Sequence, residues 1–137
     1  MTSKHLAQLN IGRLRAPLDD PGMADFAGNL ARINALAEAS PGFVWRMQDE
    51  ATGNATSIPT PFGPDVLANM SVWQDLASLR AYVYRSEHSS FLKRRRMWFQ
   101  ELDGPHMVLW WVPAGHRPTL IEAKAALGRQ ERHGPAA

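Results

Sequence analysis

The residues best suited to chemistry lie between positions 86 and 99, where His88 precedes Arg95 by seven residues. Two helical turns span that interval, so the spacing places an imidazole and a guanidinium on one face of a predicted helix, beside Trp98. An imidazole can move a proton near neutral pH, and a guanidinium can bind an anion or stabilise charge on an oxygen. We therefore predict that His88 and Arg95 are catalytic. The alternative is that His88 bonds a nearby carboxylate or carbonyl and that the stem of Arg95 packs on Trp98.

Two amide side chains on the first strand are the first candidates for substrate binding. Residues 5–13 alternate, so Gln8 and Asn10 share the face opposite Ala7, Leu9 and Ile11. If the apolar row packs on helices, the two amides face the inside of a barrel and can orient a ligand there. Hydrogen bonding across a dimer is the alternative role for this pair.

Indole rings are the second group of candidates, since the chain has five tryptophans. We predict that Trp73, Trp98 and Trp110 wall a flat aromatic ligand, and core or interface packing is the alternative. There is no cysteine, and the histidines do not have a metal-ligand spacing. The sequence has no catalytic triad, phosphate-binding loop or dinucleotide glycine motif. It therefore predicts no metal site and no bound cofactor.

Composition limits the class of protein. With 137 residues, 45% hydrophobic and 20% charged, the chain is expected to form one globular domain over 1–137. The formal net charge is only +2, and the basic run at 93–96 is typical of a solvated helix face, which does not favour nucleic-acid binding. No apolar run has the roughly 18 residues of a membrane span. The first residues contain no apolar signal region, so we expect a cytoplasmic protein with no membrane partner.

The order of predicted elements indicates an α+β fold. Strands are expected at 5–13, 43–48, 65–73 and 106–112, and residues 49–64 are expected to form a loop. Helices are expected after Asp20, Asp75, Ser86 and Thr119, the last ending near Gly128 and leaving a loose tail at 129–137. This β-α-β-β-α-β order with an extra C-terminal helix is that of a ferredoxin-like antiparallel sheet. The uncovered sheet face is too apolar for water, so a homodimer packed sheet against sheet is expected.

Several motifs of the chain resemble a bacterial family of uncharacterised domains. They are Tyr-Val-Tyr-Arg-Ser-x-His at 82–88, Leu-Trp-Trp-Val-Pro-Ala-Gly-His-x-Pro at 109–118, Leu-Ala-Gln-Leu-Asn at 6–10 and Pro-Gly-Phe-x-Trp at 41–45. That family is similar to the dimeric α+β barrel superfamily, alongside the antibiotic-biosynthesis-type monooxygenases. The resemblance implies a dimer and a barrel, but it does not by itself transfer an activity.

Three functions are compatible with these observations. The first is an enzyme that oxygenates or isomerises an aromatic or polyketide-like molecule without a bound cofactor, using His88, Arg95 and Asn10. The second is haem binding or degradation, because the haem-degrading members of the superfamily are similar in using residues at the places of Asn10, Trp73 and His88. The third is a non-catalytic binding or structural dimer.

Overall fold

The computed structural model describes residues 4–17, 20–48, 66–85, 95–100 and 106–133. In this part of the chain the strands are β1 (Lys4–Leu14), β2 (Phe43–Arg46), β3 (Val66–Trp73), β4 (Phe99–Gln100) and β5 (Met107–Pro113). The helices are α1 (Ala24–Ala39), preceded by a 3₁₀ turn at Pro21–Met23, α2 (Leu76–Arg85), α3 (Arg95–Trp98) and α4 (Leu120–His133). Among the described residues, no helix is long and apolar enough to cross a membrane.

Side-chain caps begin three of the helical segments at the predicted places. The Oδ2 of Asp20 accepts from the Gly22 N–H at 2.8 Å, and the Oδ1 of Asp75 accepts from the Ser78 N–H at 2.8 Å. The Oγ1 of Thr119 accepts from the N–H three residues later at 3.1 Å. Each bond satisfies an amide that has no partner inside the helix. Hydrogen bonding to Ser78, through its backbone first, also lowers the pKa of the Asp75 carboxyl.

Two predicted helix ends are wrong, and the strand expected over 43–48 ends at Arg46. The C-terminal helix continues past Gly128 to His133, into the segment that was expected to be loose. A glycine in a helix costs only about 1 kcal/mol relative to alanine, and the long polar residues after it are good helix formers. Of the helix expected over 86–99, the structure describes Arg95–Trp98. The helix ends at Trp98 because Phe99 and Gln100 form a strand that pairs with the end of β1.

The sheet is built around β1. On one side β1 pairs with β3 from Leu6 to Arg13, and on the other side it pairs with β5 and then with β4. Strand β2 pairs with the outer edge of β3, which gives a five-stranded sheet of order β2-β3-β1-β4 in which β5 also pairs with β1 and every pair is antiparallel. The prediction of an α+β fold with an antiparallel sheet is confirmed.

Helices pack on both faces of the sheet. Leu6 on β1 packs with Ala37 of α1 and with Leu79 and Tyr82 of α2. On the opposite face, the apolar row of β1 packs with α4 through Ala123, Ala126 and Leu127. We call these the inner face, toward α1 and α2, and the outer face, toward α4.

The expected orientation of β1 is therefore corrected. Its apolar row does pack on a helix, as the alternating pattern requires, but that helix is α4 rather than α1 or α2. Gln8 and Asn10 consequently face α1 and α2 and not an opposing sheet. The physical reason is that α4 brings an apolar stripe to the outer face, where Leu9 and Ile11 become buried.

Two glycines with positive φ allow a test of packing at the turn before β2. Gly42 and Gly115 have φ of 85° and 87°, where any side chain is strained. We expect Gly115→Ala to lower the free energy of unfolding by roughly 1–2 kcal/mol through backbone strain. Strain is the whole effect there, because the added Cβ meets open space. Gly42→Ala is expected to lower it by roughly 1–3 kcal/mol more, because its Cβ overlaps Ser78. Urea unfolding of both variants measures the difference, and equal losses would contradict the proposed overlap.

Candidate functional site

A cavity of about 220 Å³ lies between the inner face of the sheet and helices α1 and α2. Its floor is formed by alternate residues of β1 and β3 that point toward the helices, and its walls are formed mainly by apolar residues of α1 and α2. Asn69 on the floor is exposed, so the cavity opens to solvent on that side. A concave site with apolar walls and a few convergent polar groups is the usual form of a small-molecule site.

Hydrogen bonds join the polar side chains of the floor. The Nε2 of Gln8 donates to the Oδ1 of Asn69 at 2.7 Å and to the Oγ of Ser71 at 2.9 Å. The indole Nε1 of Trp73 donates to the same Ser71 oxygen at 2.9 Å. Asn10 stands directly opposite Asn69 in the pairing of β1 with β3. The pairing thus gathers an amide and hydroxyl network on one side of the sheet.

Aromatic rings form both ends of the cavity. At one end, Phe26 lies with its ring centroid 5.4 Å from that of Trp98 and 5.2 Å, edge-on, from that of Phe99. The Phe99 ring covers Gly12 so closely that a Cβ on this glycine would come within 2.5 Å of it. At the other end, the Trp73 ring stacks on Tyr82 at 5.1 Å. Such ends favour contact with a flat ring system.

Charge reaches the cavity at one margin, through Arg46. Its Nε contacts the Oε1 of Glu38 at 2.7 Å and its Nη2 donates to the Oε1 of Gln48 at 3.2 Å. The side chain of Arg46 is only 12% exposed, so the ion pair holds the guanidinium against the cavity margin. Arg46 also stands opposite Ser71 in the pairing of β2 with β3.

Tyr82 brings a buried hydroxyl to the same region. Its OH donates to the carbonyl of Ile33 at 3.3 Å. Burial raises the pKa of Tyr82, and the positive charge of Arg46 opposes that shift only in part. Tyr82 therefore stays protonated at neutral pH, where it acts as a neutral hydrogen-bonding group and not as a base.

The two predicted catalytic residues are placed only in part. His88 lies outside the described residues. Arg95 is the first residue of α3, about one helical turn before Trp98 at the aromatic end of the cavity, and its side chain lies outside the described part. Both assignments stay predictions.

The structure brings four of the five predicted substrate-binding residues to the cavity. Gln8, Asn10, Trp73 and Trp98 all line it, although they come from three separate stretches of sequence. Trp110 does not line it. This indole stands opposite Ala7 in the pairing of β1 with β5, so the alternation of the strand directs it to the outer face. Whether the four lining residues bind a ligand stays a prediction.

Five polar lining residues were not predicted, namely Asn34, Arg46, Asn69, Ser71 and Tyr82. Asn69 and Ser71 lie on the same side of β3 as Trp73, so the alternation of that strand already grouped them. The alternation could not show that this side faces Gln8 and Asn10, because the register between two distant strands is set by folding. Among the described residues, no three His, Asp or Glu side chains stand close enough to hold a metal ion.

Comparisons with known proteins define the family. Residues 5–137 match the family described as "Domain of unknown function (DUF3291)". The chain belongs to this family, which confirms the predicted membership of an uncharacterised family. No curated protein is similar enough to this chain to count as a match.

Solved structures support the fold. NE2512 from Nitrosomonas europaea, a protein of unknown function, is 16% identical with a TM-score of 0.52, over 87% of this chain and 97% of that one. PA3566 from Pseudomonas aeruginosa is 15% identical with a TM-score of 0.52, over 85% of this chain and 99% of that one. SnoaB, a cofactor-independent oxygenase from Streptomyces nogalater, is 15% identical with a TM-score of 0.49, over 82% of this chain and 95% of that one. The first two likenesses support the α+β fold and carry no activity.

The buried hydroxyl of Tyr82 predicts a loss of stability at alkaline pH. Its pKa is raised in the folded chain above the ordinary value of 10.0, so the unfolded chain loses this proton first as the pH rises. The stability that Tyr82 contributes is therefore fully present below about pH 10 and falls as the pH rises above it. We expect the free energy of unfolding to fall more steeply above pH 10 in the wild-type chain than in Tyr82→Phe.

Urea unfolding of both chains between roughly pH 7 and pH 11 measures this difference. The second tyrosine, Tyr84, is present in both chains and cancels in the comparison. Parallel curves would show that Tyr82 does not ionise differently in the two states.

Proposed function

We propose that this chain is a small enzyme that binds an aromatic or polyketide-like molecule in the cavity and oxygenates or isomerises it without a bound cofactor. The observation that supports it is the combination of a hydrogen-bonding floor with aromatic ends in one cavity. Flat molecules that carry a few oxygen atoms match both features, since their rings contact the ends and their oxygens reach the floor. The volume of about 220 Å³ suits a molecule of two fused rings better than a larger one.

The proposed roles follow from the chemistry of each group. Gln8 and Asn10 orient the ligand, while Trp73 and Trp98 contact its rings. His88 removes a proton from a hydroxyl or an activated carbon, and Arg95 stabilises the negative charge that this leaves on oxygen. Oxygenation and isomerisation both begin with this removal of a proton. Isomerisation returns the proton to another carbon of the same molecule.

Oxygenation needs no further reductant when the substrate supplies the electrons. A naphthol that reacts with O₂ to give a naphthoquinone and water loses four electrons, and O₂ gains them. One oxygen atom enters the new carbonyl and the other leaves as water. A deprotonated substrate donates electrons to O₂ more readily than the neutral one, so a base in the site accelerates this reaction.

Haem binding is the less supported alternative. Two of the three residues that suggested it, Asn10 and Trp73, do line the cavity. The cavity volume of about 220 Å³ is, however, below the roughly 300–1,000 Å³ of sites for drug-sized ligands, and a haem is at least that large. The size of the cavity argues against haem as the resident group.

The homodimer through the sheet is part of the same proposal, as is the ferredoxin-like barrel. Helix α4 covers one part of the outer face, where it packs on Leu9 and Ile11. The other part consists of Ala7 and Val72, flanked by the half-buried rings of Trp45 and Trp110. We propose that this tryptophan-flanked part of the outer face meets its copy in a second chain.

Replacing His88 tests the proposed catalysis. We expect purified wild-type protein to consume O₂ with a hydroxynaphthalene from a panel of mono- and dihydroxynaphthalenes, or to isomerise one without O₂. His88→Ala is expected to lower the rate roughly 100-fold or more, because general-base catalysis contributes about 10²–10⁴-fold. His116→Ala is the matched control. His116 precedes α4, its Nε2 lies 2.8 Å from the Oε1 of Glu122, and it does not line the cavity.

Mass spectrometry of products formed under ¹⁸O₂ distinguishes oxygenation from isomerisation. Full activity in His88→Ala would remove His88 from the mechanism. No turnover of any compound, in air or under argon, would count against an enzyme of this substrate class and favour the non-catalytic dimer.

Two adjacent tryptophans on β5 test the proposed interface. Trp110 faces the outer side of the sheet, whereas Trp111 faces the inner side and is 55% exposed. We expect Trp110→Lys to shift the protein from dimer to monomer, because a charge in an apolar interface is costly, and Trp111→Lys to leave the dimer intact. Light scattering after size exclusion gives both masses. A monomeric wild-type protein would exclude the dimer.

A further inference from the structure

We infer that Ser71 is a positioning residue: it fixes the side-chain amide of Gln8 so that the Gln8 carbonyl oxygen faces the ligand and selects a hydroxyl group. The inference rests on the proposed function and deepens it, since it names the chemical group that the cavity recognises. It follows from counting the donors and acceptors of three side chains of the floor, of which Gln8 and Ser71 are buried and Asn69 is exposed.

The first count concerns Ser71, which is 7% exposed. Its oxygen accepts one hydrogen bond from Gln8 and one from Trp73, both at 2.9 Å. A serine hydroxyl has two lone pairs and one hydrogen, so both acceptor positions are occupied. The indole N–H of Trp73 can only donate, and its ring is completely buried, so this bond holds the Ser71 oxygen as an acceptor.

The second count concerns Gln8, which is also 7% exposed. Its Nε2 has two hydrogens, of which one goes to Asn69 at 2.7 Å and the other to Ser71 at 2.9 Å. Both donor positions are used, and within the described part of the chain the Oε1 accepts no hydrogen bond. This oxygen is not among the fully buried polar atoms of the described residues, so it is accessible from the cavity, and a ligand that covered it without donating to it would leave it unpaired. Because Gln8 lines the cavity, a bound molecule can supply the missing donor.

The third count concerns Asn69, at the open side of the cavity. Its Oδ1 accepts from Gln8, so its amide nitrogen is left with two hydrogens to donate. These three side chains thus offer an oxygen that accepts no hydrogen bond within the described residues, on Gln8, next to donors on Asn69 and on the Ser71 hydroxyl. A ligand hydroxyl matches both kinds of group at once, since it can donate to Gln8 and accept from a neighbour. A ketone or a methyl ether can only accept.

The chemical class that fits is a phenol or an enol. Without Ser71 the Gln8 amide loses one of its two anchors and can turn over, which would present an N–H instead of the oxygen. The cavity would then favour an acceptor and lose its preference for a hydroxyl. Ser71 acts in this way through Gln8, not by forming a bond that changes during a reaction.

A pair of matched ligands tests the inference. The full chain is titrated with 1-naphthol and with 1-methoxynaphthalene, which differ by one methyl group on the oxygen, and the Kd of each is measured by calorimetry. We expect wild-type protein to bind 1-naphthol at least about 10-fold more tightly, because the ether covers the Gln8 oxygen without donating a hydrogen bond to it. A tenfold difference in Kd corresponds to about 1.4 kcal/mol.

Two substitutions at position 71 show whether the selectivity depends on its hydroxyl. Ser71→Ala is expected to bring the ratio of the two Kd values close to 1, because 1-methoxynaphthalene, which can only accept, binds more tightly once the Gln8 amide can present an N–H. Ser71→Thr keeps the hydroxyl and is expected to retain the wild-type ratio. A purely structural role would weaken both ligands together. If Ser71→Ala does not fold, Gln8→Met, which removes the acceptor with little change of volume, is expected to abolish the ratio.

Three other results would each overturn a specific claim. Equal binding of the two ligands by the wild-type chain, or tighter binding of the ether, overturns this inference and leaves the proposed function standing. An unchanged ratio in Ser71→Ala overturns the role of Ser71. Binding of neither ligand by the wild-type chain overturns the proposed function, and this inference with it.

Discussion

The rest of the structure depends on the antiparallel pairing of β1 with β3. This pairing sets Gln8 opposite Ser71 and Asn10 opposite Asn69 on the inner face, and Leu9 opposite Met70 on the outer face. A slip of one residue would move every side chain of one strand to the other face. The polar floor and the apolar core under α4 would then both be lost. One register therefore fixes the stability of the outer face and the chemistry of the inner face together.

The inner face shows how a polar site can be buried without a large loss of stability. Removing an amide or a hydroxyl from water costs free energy unless it gains a hydrogen-bond partner. Gln8, Ser71 and Trp73 satisfy one another through bonds of 2.9 Å, so most of that cost is offset within the fold. What remains unsatisfied is the group that a ligand can meet. The same hydrogen bonds thus stabilise the buried polar groups and leave one oxygen available to a ligand.

The tryptophans illustrate how position in the sheet divides similar residues between roles. Trp73 and Trp98 are buried at opposite ends of the cavity, whereas Trp45 and Trp110 flank the middle of the outer face. Trp111 is directly next to Trp110 and lies on the other side of the strand. All are large rings with one N–H donor, so their chemistry is the same and only the direction of the side chain separates them. The same sheet therefore carries the cavity on its inner face and the proposed dimer contact on its outer face.

The sequence by itself determined the local elements, because their causes are local. Alternation in 5–13 predicts β1, and the caps at Asp20, Asp75 and Thr119 predict where helices begin. It also grouped Gln8 with Asn10 on one side of β1. Only the tertiary structure decided which helices that side faces, since α4 folds back to bury the apolar row. It likewise decided that Ser71 and Asn69, more than sixty residues later in the chain, complete the floor. Strand register and helix placement are set by burial of the whole core, which no local pattern contains.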